Sequence, residues 1–190
     1  TACQNWRLSD VELRHCLELV SPKLIFLSSR NHELGAKNSD IAPLLEFGPE
    51  YESAITAAVD RPPTDPCDPE DGVVILYTSG TTGLPKAALI SHRAEIARTT
   101  AQMIDLPTNL DEAFVAWAPL FHMVSTDSVF ATLIQGGTVI VTDGFNPTEL
   151  AQIVTTQKLG RLTLMPGMID PFLSAMKALD RPAAGVKWAG

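Results

Sequence analysis

Ten consecutive residues, Tyr77-Thr78-Ser79-Gly80-Thr81-Thr82-Gly83-Leu84-Pro85-Lys86, hold the groups of this chain best suited to chemistry. Thr78, Ser79, Thr81 and Thr82 supply four hydroxyls, each able to donate to a phosphate oxygen. Gly80 and Gly83 let the backbone turn tightly and approach a ligand with no Cβ in the way. Successive amides in such a turn form a concave nest for an anion. Lys86 adds a flexible point charge at the edge of the loop. Hydroxyls, free amides and one ammonium together make a cradle for a polyphosphate.

The common phosphate loops fail on spacing. A Walker loop requires G-x-x-x-x-G-K-[ST], but Pro85 stands five residues after Gly80, and Ala87 follows Lys86. A dinucleotide fingerprint requires G-x-G-x-x-G, which does not occur in this chain. A generic turn of Ser, Thr and Gly would be no more than surface punctuation. The whole string says more than that.

It closely resembles the Y-T-S-G-T-T-G-x-P-K signature of the adenylate-forming superfamily. That superfamily holds acyl-CoA synthetases and other AMP-dependent synthetases and ligases. The resemblance implies that Thr78, Ser79, Gly80, Thr81, Thr82, Gly83 and Lys86 hold the β- and γ-phosphates of ATP. It extends more weakly along nearly the whole chain. Asn5-Trp6-Arg7-Leu8 with Glu12-Leu13 looks like the family's N-x-R-L-x-x-x-E-L segment, and Gly136-Gly137-Thr138-Val139 like its G-G-x-x-V turn. Met165-Pro166-Gly167-Met168 stands where P-P-x-M is usual, and Pro119-Leu120-Phe121-His122 looks like P-L-F-H. Taken alone, His122 reads as a helix-start or core histidine; the resemblance gives it a place beside the acyl pocket. Two positions depart from the pattern: Ala87 replaces a common Gly, and Ser125 stands where Gly often follows three residues after that His. The larger Ser125 is expected to narrow or polarise the pocket.

The implied reaction is attack of a carboxylate on the α-phosphorus of ATP, giving an acyl-AMP and pyrophosphate. Coenzyme A then takes the acyl group as a thioester, with Mg²⁺ neutralising the phosphates. The acid is expected to be a fatty or other organic acid. An adenylation domain that loads a carrier protein would share this loop, and a non-catalytic nucleotide-binding module remains a third reading. No Y-G-x-T-E or T-G-D segment occurs, and Lys177 and Lys187 stand in the wrong context for the catalytic lysine of the family's carboxy-terminal domain. No catalytic or metal-ligating residue is therefore assigned. The expectation is an internal piece of the family's large amino-terminal domain, inactive in isolation.

The elements around the loop read as follows. Ser9 and Glu12 have capping-box spacing, and Leu13, Cys16, Leu17 and Val20 recur on one helical face until Pro22 stops the helix. Residues 24–27 are a short strand, residues 41–47 fit either state, and residues 51–59 suggest a short helix. Four prolines in residues 60–72 mark an extended linker. Strands are expected at 73–77, 87–90, 113–117, 138–141, 161–165 and 186–188. Helices are expected from about Ser91 to Ile104 and over residues 123–134, 147–158 and 168–179. Alternation of this kind predicts an α/β fold with a parallel sheet flanked by helices.

Composition agrees. The 190 residues suit a single partial ATP- and acyl-binding domain, and the chain begins on Thr1 and closes straight after a strand, as if cut from something longer. A net charge of −8, from 14 Lys and Arg against 22 Asp and Glu, offers no basic stripe for nucleic acid. No apolar run is long enough for a membrane span. Cys3, Cys16 and Cys67 form no C-x-x-C pair, which argues against a disulfide framework or a zinc site. Reduced thiols and no export signal suggest the cytoplasm.

Overall fold

Ser9 starts the first helix as its sequence predicts. In the computed structural model, which describes residues 1–62, 66–78, 83–107 and 109–190, helix α1 spans Asp10–Val20 and opens on a complete capping box. The Ser9 hydroxyl accepts from the Glu12 amide, while the Glu12 carboxylate accepts from the Ser9 amide. The helix closes on Ser21 in the left-handed region, before Pro22. It buries Leu13, Cys16 and Leu17. Contacts divide the chain into two units, Thr1–Ser91 and His92–Gly190.

In the first unit, β1 (Ile25–Leu27), α2 (His32–Ala36), β2 (Leu44–Glu46) and α3 (Pro49–Ala57) follow α1. β1 and β2 pair in parallel, so within the ambiguous stretch 41–47 residues Leu44–Glu46 resolve as strand. Next come β3 (Gly72–Thr78) and β4 (Lys86–Ser91). They pair antiparallel, with Thr78 opposite Lys86 and Tyr77 opposite Ala87. The two strands fall where the sequence places them, and their pairing adds an antiparallel hairpin to the expected parallel sheet. A parallel return needs a connection of about a dozen residues or more, and residues 79–85 are too few. The amino terminus adds to the other side of β3: the Ile75 amide donates to the Thr1 carbonyl at 2.8 Å, and the Thr1 ammonium to the Val73 carbonyl at 2.8 Å.

The second unit opens with α4 (His92–Asp105) and continues through β5 (Ala113–Ala116), α5 (Met123–Ile134), β6 (Thr138–Val141), α6 (Pro147–Thr156), β7 (Leu159–Leu162), α7 (Ile169–Leu179) and β8 (Val186–Ala189). Its four strands form a parallel sheet in the order β6-β5-β7-β8. All four residues of β5 are buried, as a strand covered on both faces requires. Ala113 and Val115 pack with Leu150, Ala151 and Val154 of α6 and Phe172 of α7. Asn146 caps α6 by accepting from the Thr148 and Glu149 amides, with Pro147 next in line, where its missing N–H has no helical partner to lose. β7 begins two residues before the expected strand. Leu159 pairs with both Ala113 and Val186, and this cross-strand register carries the strand back to a residue expected to lie between helix and strand.

Candidate functional site

β3 and β4 place three of the expected phosphate ligands on one hairpin. Thr78 ends β3 and Lys86 begins β4, and both side chains are exposed. As register partners, their Cα atoms stand roughly 5 Å apart. Gly83 has φ +123°, a conformation that L side chains rarely adopt, and a Cβ built there would meet nothing within 4 Å. Its glycine is therefore required by the backbone, and the space beside it is open. Among the described residues Lys86 makes no ion pair, so its ammonium is available to an anion. Ser79, Gly80, Thr81 and Thr82 lie outside the described residues. Hydroxyl, open backbone and ammonium at the two stems fit a polyphosphate.

The stems rest on contacts that no local spacing reveals. The Tyr77 hydroxyl donates to the Cys16 carbonyl at 3.0 Å and accepts from Gln4 Nε2 at 2.7 Å. Burial pushes the Tyr77 phenol above its ordinary value, opposed by the Gln4 hydrogen bond, so the hydroxyl stays a neutral donor. His15 Nε2 lies 3.1 Å from the Pro85 carbonyl. The Cys16 thiol is likewise raised by burial and is no nucleophile. Tyr77 and Cys16 are 61 positions apart, and His15 and Pro85 are 70 apart.

His122 sits in the second unit, at the carboxyl side of β5 and at the N-cap of α5. Its side chain is exposed and caps no amide; its carbonyl accepts from the amides of Ser125 and Thr126. The helix-start reading of the sequence is thus met in position, with the imidazole exposed and tilted against the Phe121 ring at 4.6 Å between centroids. In a parallel sheet, ligands bind outside the carboxyl ends of strands where the order reverses. β5 is such a place, because β6 lies on one side of it and β7 on the other. Trp117 ties the two strand ends together, donating from Nε1 to the Thr163 carbonyl at 2.8 Å. Ser125 is buried, and its hydroxyl donates to the Ala118 carbonyl at 2.7 Å, so it fastens α5 to the strand end. A cavity of about 40 Å³ near the amino ends of β5 and β7 is lined by Glu112, Ser128, Thr132 and Arg161.

A family model described as AMP-binding enzyme matches residues 1–188. The chain belongs to the AMP-binding enzyme family. Among curated relatives of this family member, a feruloyl-CoA synthase of an Amycolatopsis species is 34% identical over 165 residues, covering 86% of this chain and 32% of the relative. An indoleacetate–CoA ligase of Aromatoleum aromaticum is 28% identical, covering 90% of this chain and 36% of the relative. The chain therefore spans about a third of the length of the curated relatives it matches. In fold, it is similar to the O-succinylbenzoate coenzyme A synthetase of Bacillus subtilis in complex with AMP, with TM-score 0.81 and 17% identity over 100% of this chain and 48% of that one. The α/β architecture with a helix-flanked parallel sheet is that of the adenylate-forming enzymes. No helix among the described residues is long and apolar enough to cross a membrane.

Proposed function

We propose that this AMP-binding family member forms part of an ATP-dependent carboxylic acid–CoA ligase, in which the hairpin loop holds ATP phosphates while an acid is adenylated. The observation that carries the reading is the Thr78–Lys86 pair closing a loop whose Gly83 demands a glycine backbone. In this proposal residues 78–83 donate hydroxyl and amide hydrogens to the β- and γ-phosphates, and Lys86 supplies the compensating charge. ATP supplies the activated α-phosphorus, and pyrophosphate is the group that leaves. The chain's own contribution is positioning and electrostatic stabilisation, which dominate phosphoryl and adenylyl transfer. In this scheme Mg²⁺ would neutralise the charge of the phosphates.

His122, exposed at the end of β5, is proposed to border the acyl pocket. The acyl groups named for the two curated relatives, feruloyl and indoleacetate, favour an aromatic acid within the fatty or other organic acids expected from sequence. The same relatives support coenzyme A as acceptor. The cytoplasm remains the proposed compartment, and the 190 residues are proposed to contribute one ATP- and acyl-binding portion of the enzyme.

The test is acid-dependent ATP–pyrophosphate exchange by the complete protein, across aromatic, short, medium and long-chain acids. Exchange with aromatic acids that falls by about tenfold or more in Lys86→Ala would support the reading. Exchange with no acid, or full activity in Lys86→Ala, would overturn it.

A further inference from the structure

We propose that helix α1 braces the phosphate-loop hairpin at both of its stems, through His15 on one side and the Cys16 carbonyl on the other. The inference rests on reading that loop as the phosphate cradle. It adds His15 and Tyr77 as positioning residues, which touch no phosphate themselves.

The outgoing stem is held at Tyr77, the residue before Thr78. Its hydroxyl donates to the carbonyl of Cys16 at 3.0 Å and accepts from Gln4 Nε2 at 2.7 Å. The returning stem is held at Pro85, the residue before Lys86, whose carbonyl lies 3.1 Å from His15 Nε2. A carbonyl oxygen only accepts, so Nε2 carries the hydrogen and His15 is the donor. His15 and Cys16 are consecutive in α1. One turn of one helix therefore grips positions 77 and 85, which flank the cradle.

The ladder itself explains why the brace matters. Register between β3 and β4 ends at Thr78 opposite Lys86. Pro85 is buried just beyond it and has no N–H to donate. Its carbonyl meets His15 in a part-buried contact, and removing that donor costs about 0.5–1.5 kcal/mol. The platform has surface ties of its own. Its capping box fixes the amino end, Arg14 makes a fork to Asp40 at 3.1 and 2.7 Å, and Lys37 reaches Asp10 at 2.7 Å. Position is passed from α1 through Pro85 to the adjoining Lys86, whose ammonium has to meet phosphate within a few tenths of an ångström to be useful.

The experiment compares His15→Phe, His15→Gln and Tyr77→Phe in the complete protein by two measurements. The first is amide hydrogen exchange of the peptide covering residues 77–88; the second is the KM for ATP and for the acid in pyrophosphate exchange. Loss of one hydrogen bond in His15→Phe is expected to speed exchange in that peptide by roughly fivefold and raise KM for ATP by a similar factor, with KM for the acid unchanged. His15→Gln, whose amide N–H reaches about as far as Nε2, is expected to restore both. Should His15→Phe fail to fold, Tyr77→Phe, which removes only one oxygen, must produce the same two changes. Wild-type hydrogen exchange in both apolar variants, an equal rise in both KM values, or no rescue by Gln would overturn the brace. Faster hydrogen exchange in a protein that catalyses no ATP–pyrophosphate exchange would uphold the brace and overturn the phosphate reading instead.

Discussion

Arg98 on α4 donates from Nη2 to Oδ2 of Asp127 on α5, and the same nitrogen lies 3.1 Å from the Met123 sulfur. Asp127 is only 7% exposed at its side chain, while Arg98 is half-exposed. One guanidinium thus pins the first two turns of the helix that His122 opens. Arg98→Met is expected to lower stability by about 1–2 kcal/mol, because it leaves a buried carboxylate unpaired while solvent softens the loss at the exposed end. A fall in the thermal midpoint with unchanged KM for ATP is the expected result; an unchanged midpoint would show that the pair contributes nothing.

Glu95, buried on α4 near that pair, provides a pH test. Its carboxyl is raised above its ordinary value of 4.5, first by burial and then by the charge of Asp127, with Arg98 opposing. A carboxyl raised in the folded state binds its proton more tightly there than in the unfolded chain. The associated stability is present below the ordinary value and is lost as pH rises through the raised one. Glu95→Gln removes that loss. The variant should therefore melt above wild type near about pH 8, with the gap closing as pH falls toward about 4.5. A gap independent of pH would sink the assignment.

Gly83→Ala separates backbone strain from crowding. Open space surrounds the position, but φ +123° disfavours any Cβ by about 1–2 kcal/mol. The expected consequence is a KM for ATP raised about tenfold with little change in melting temperature, since a strained loop relaxes locally. Wild-type kinetics in the variant would mean that this backbone geometry is not used.

His122→Ala should act on the acid. With its ring exposed beyond β5 and capping nothing, its removal is expected to raise KM for the carboxylic acid about tenfold while KM for ATP and the thermal midpoint hold. A matched loss for both substrates, or a large drop in stability, would assign His122 a structural role.

Much of this molecule is legible residue by residue. The Ser9–Glu12 box, the Asn146 cap with Pro147 and the α5 limits at Met123 and Ile134 all depend on neighbours within four positions, so local chemistry decides them. The antiparallel hairpin was also available in principle, since the short span from Thr78 to Lys86 excludes a crossover. Early entry of Leu159 into β7 was not available, because its partners Ala113 and Val186 lie far away in sequence.

The sequence by itself determined the family and the chemistry to look for, because ten contiguous residues contain the hydroxyls, glycines and ammonium of the proposed cradle. Only the tertiary structure decided what holds that cradle in place. Gln4, His15, Cys16, Tyr77 and Pro85 meet across separations of 61 to 73 residues, through a phenol, an imidazole and two backbone carbonyls. Backbone carbonyls exist at every residue and leave no trace in composition or spacing. Which of them receives a side-chain donor is settled by the packing of α1 against the hairpin.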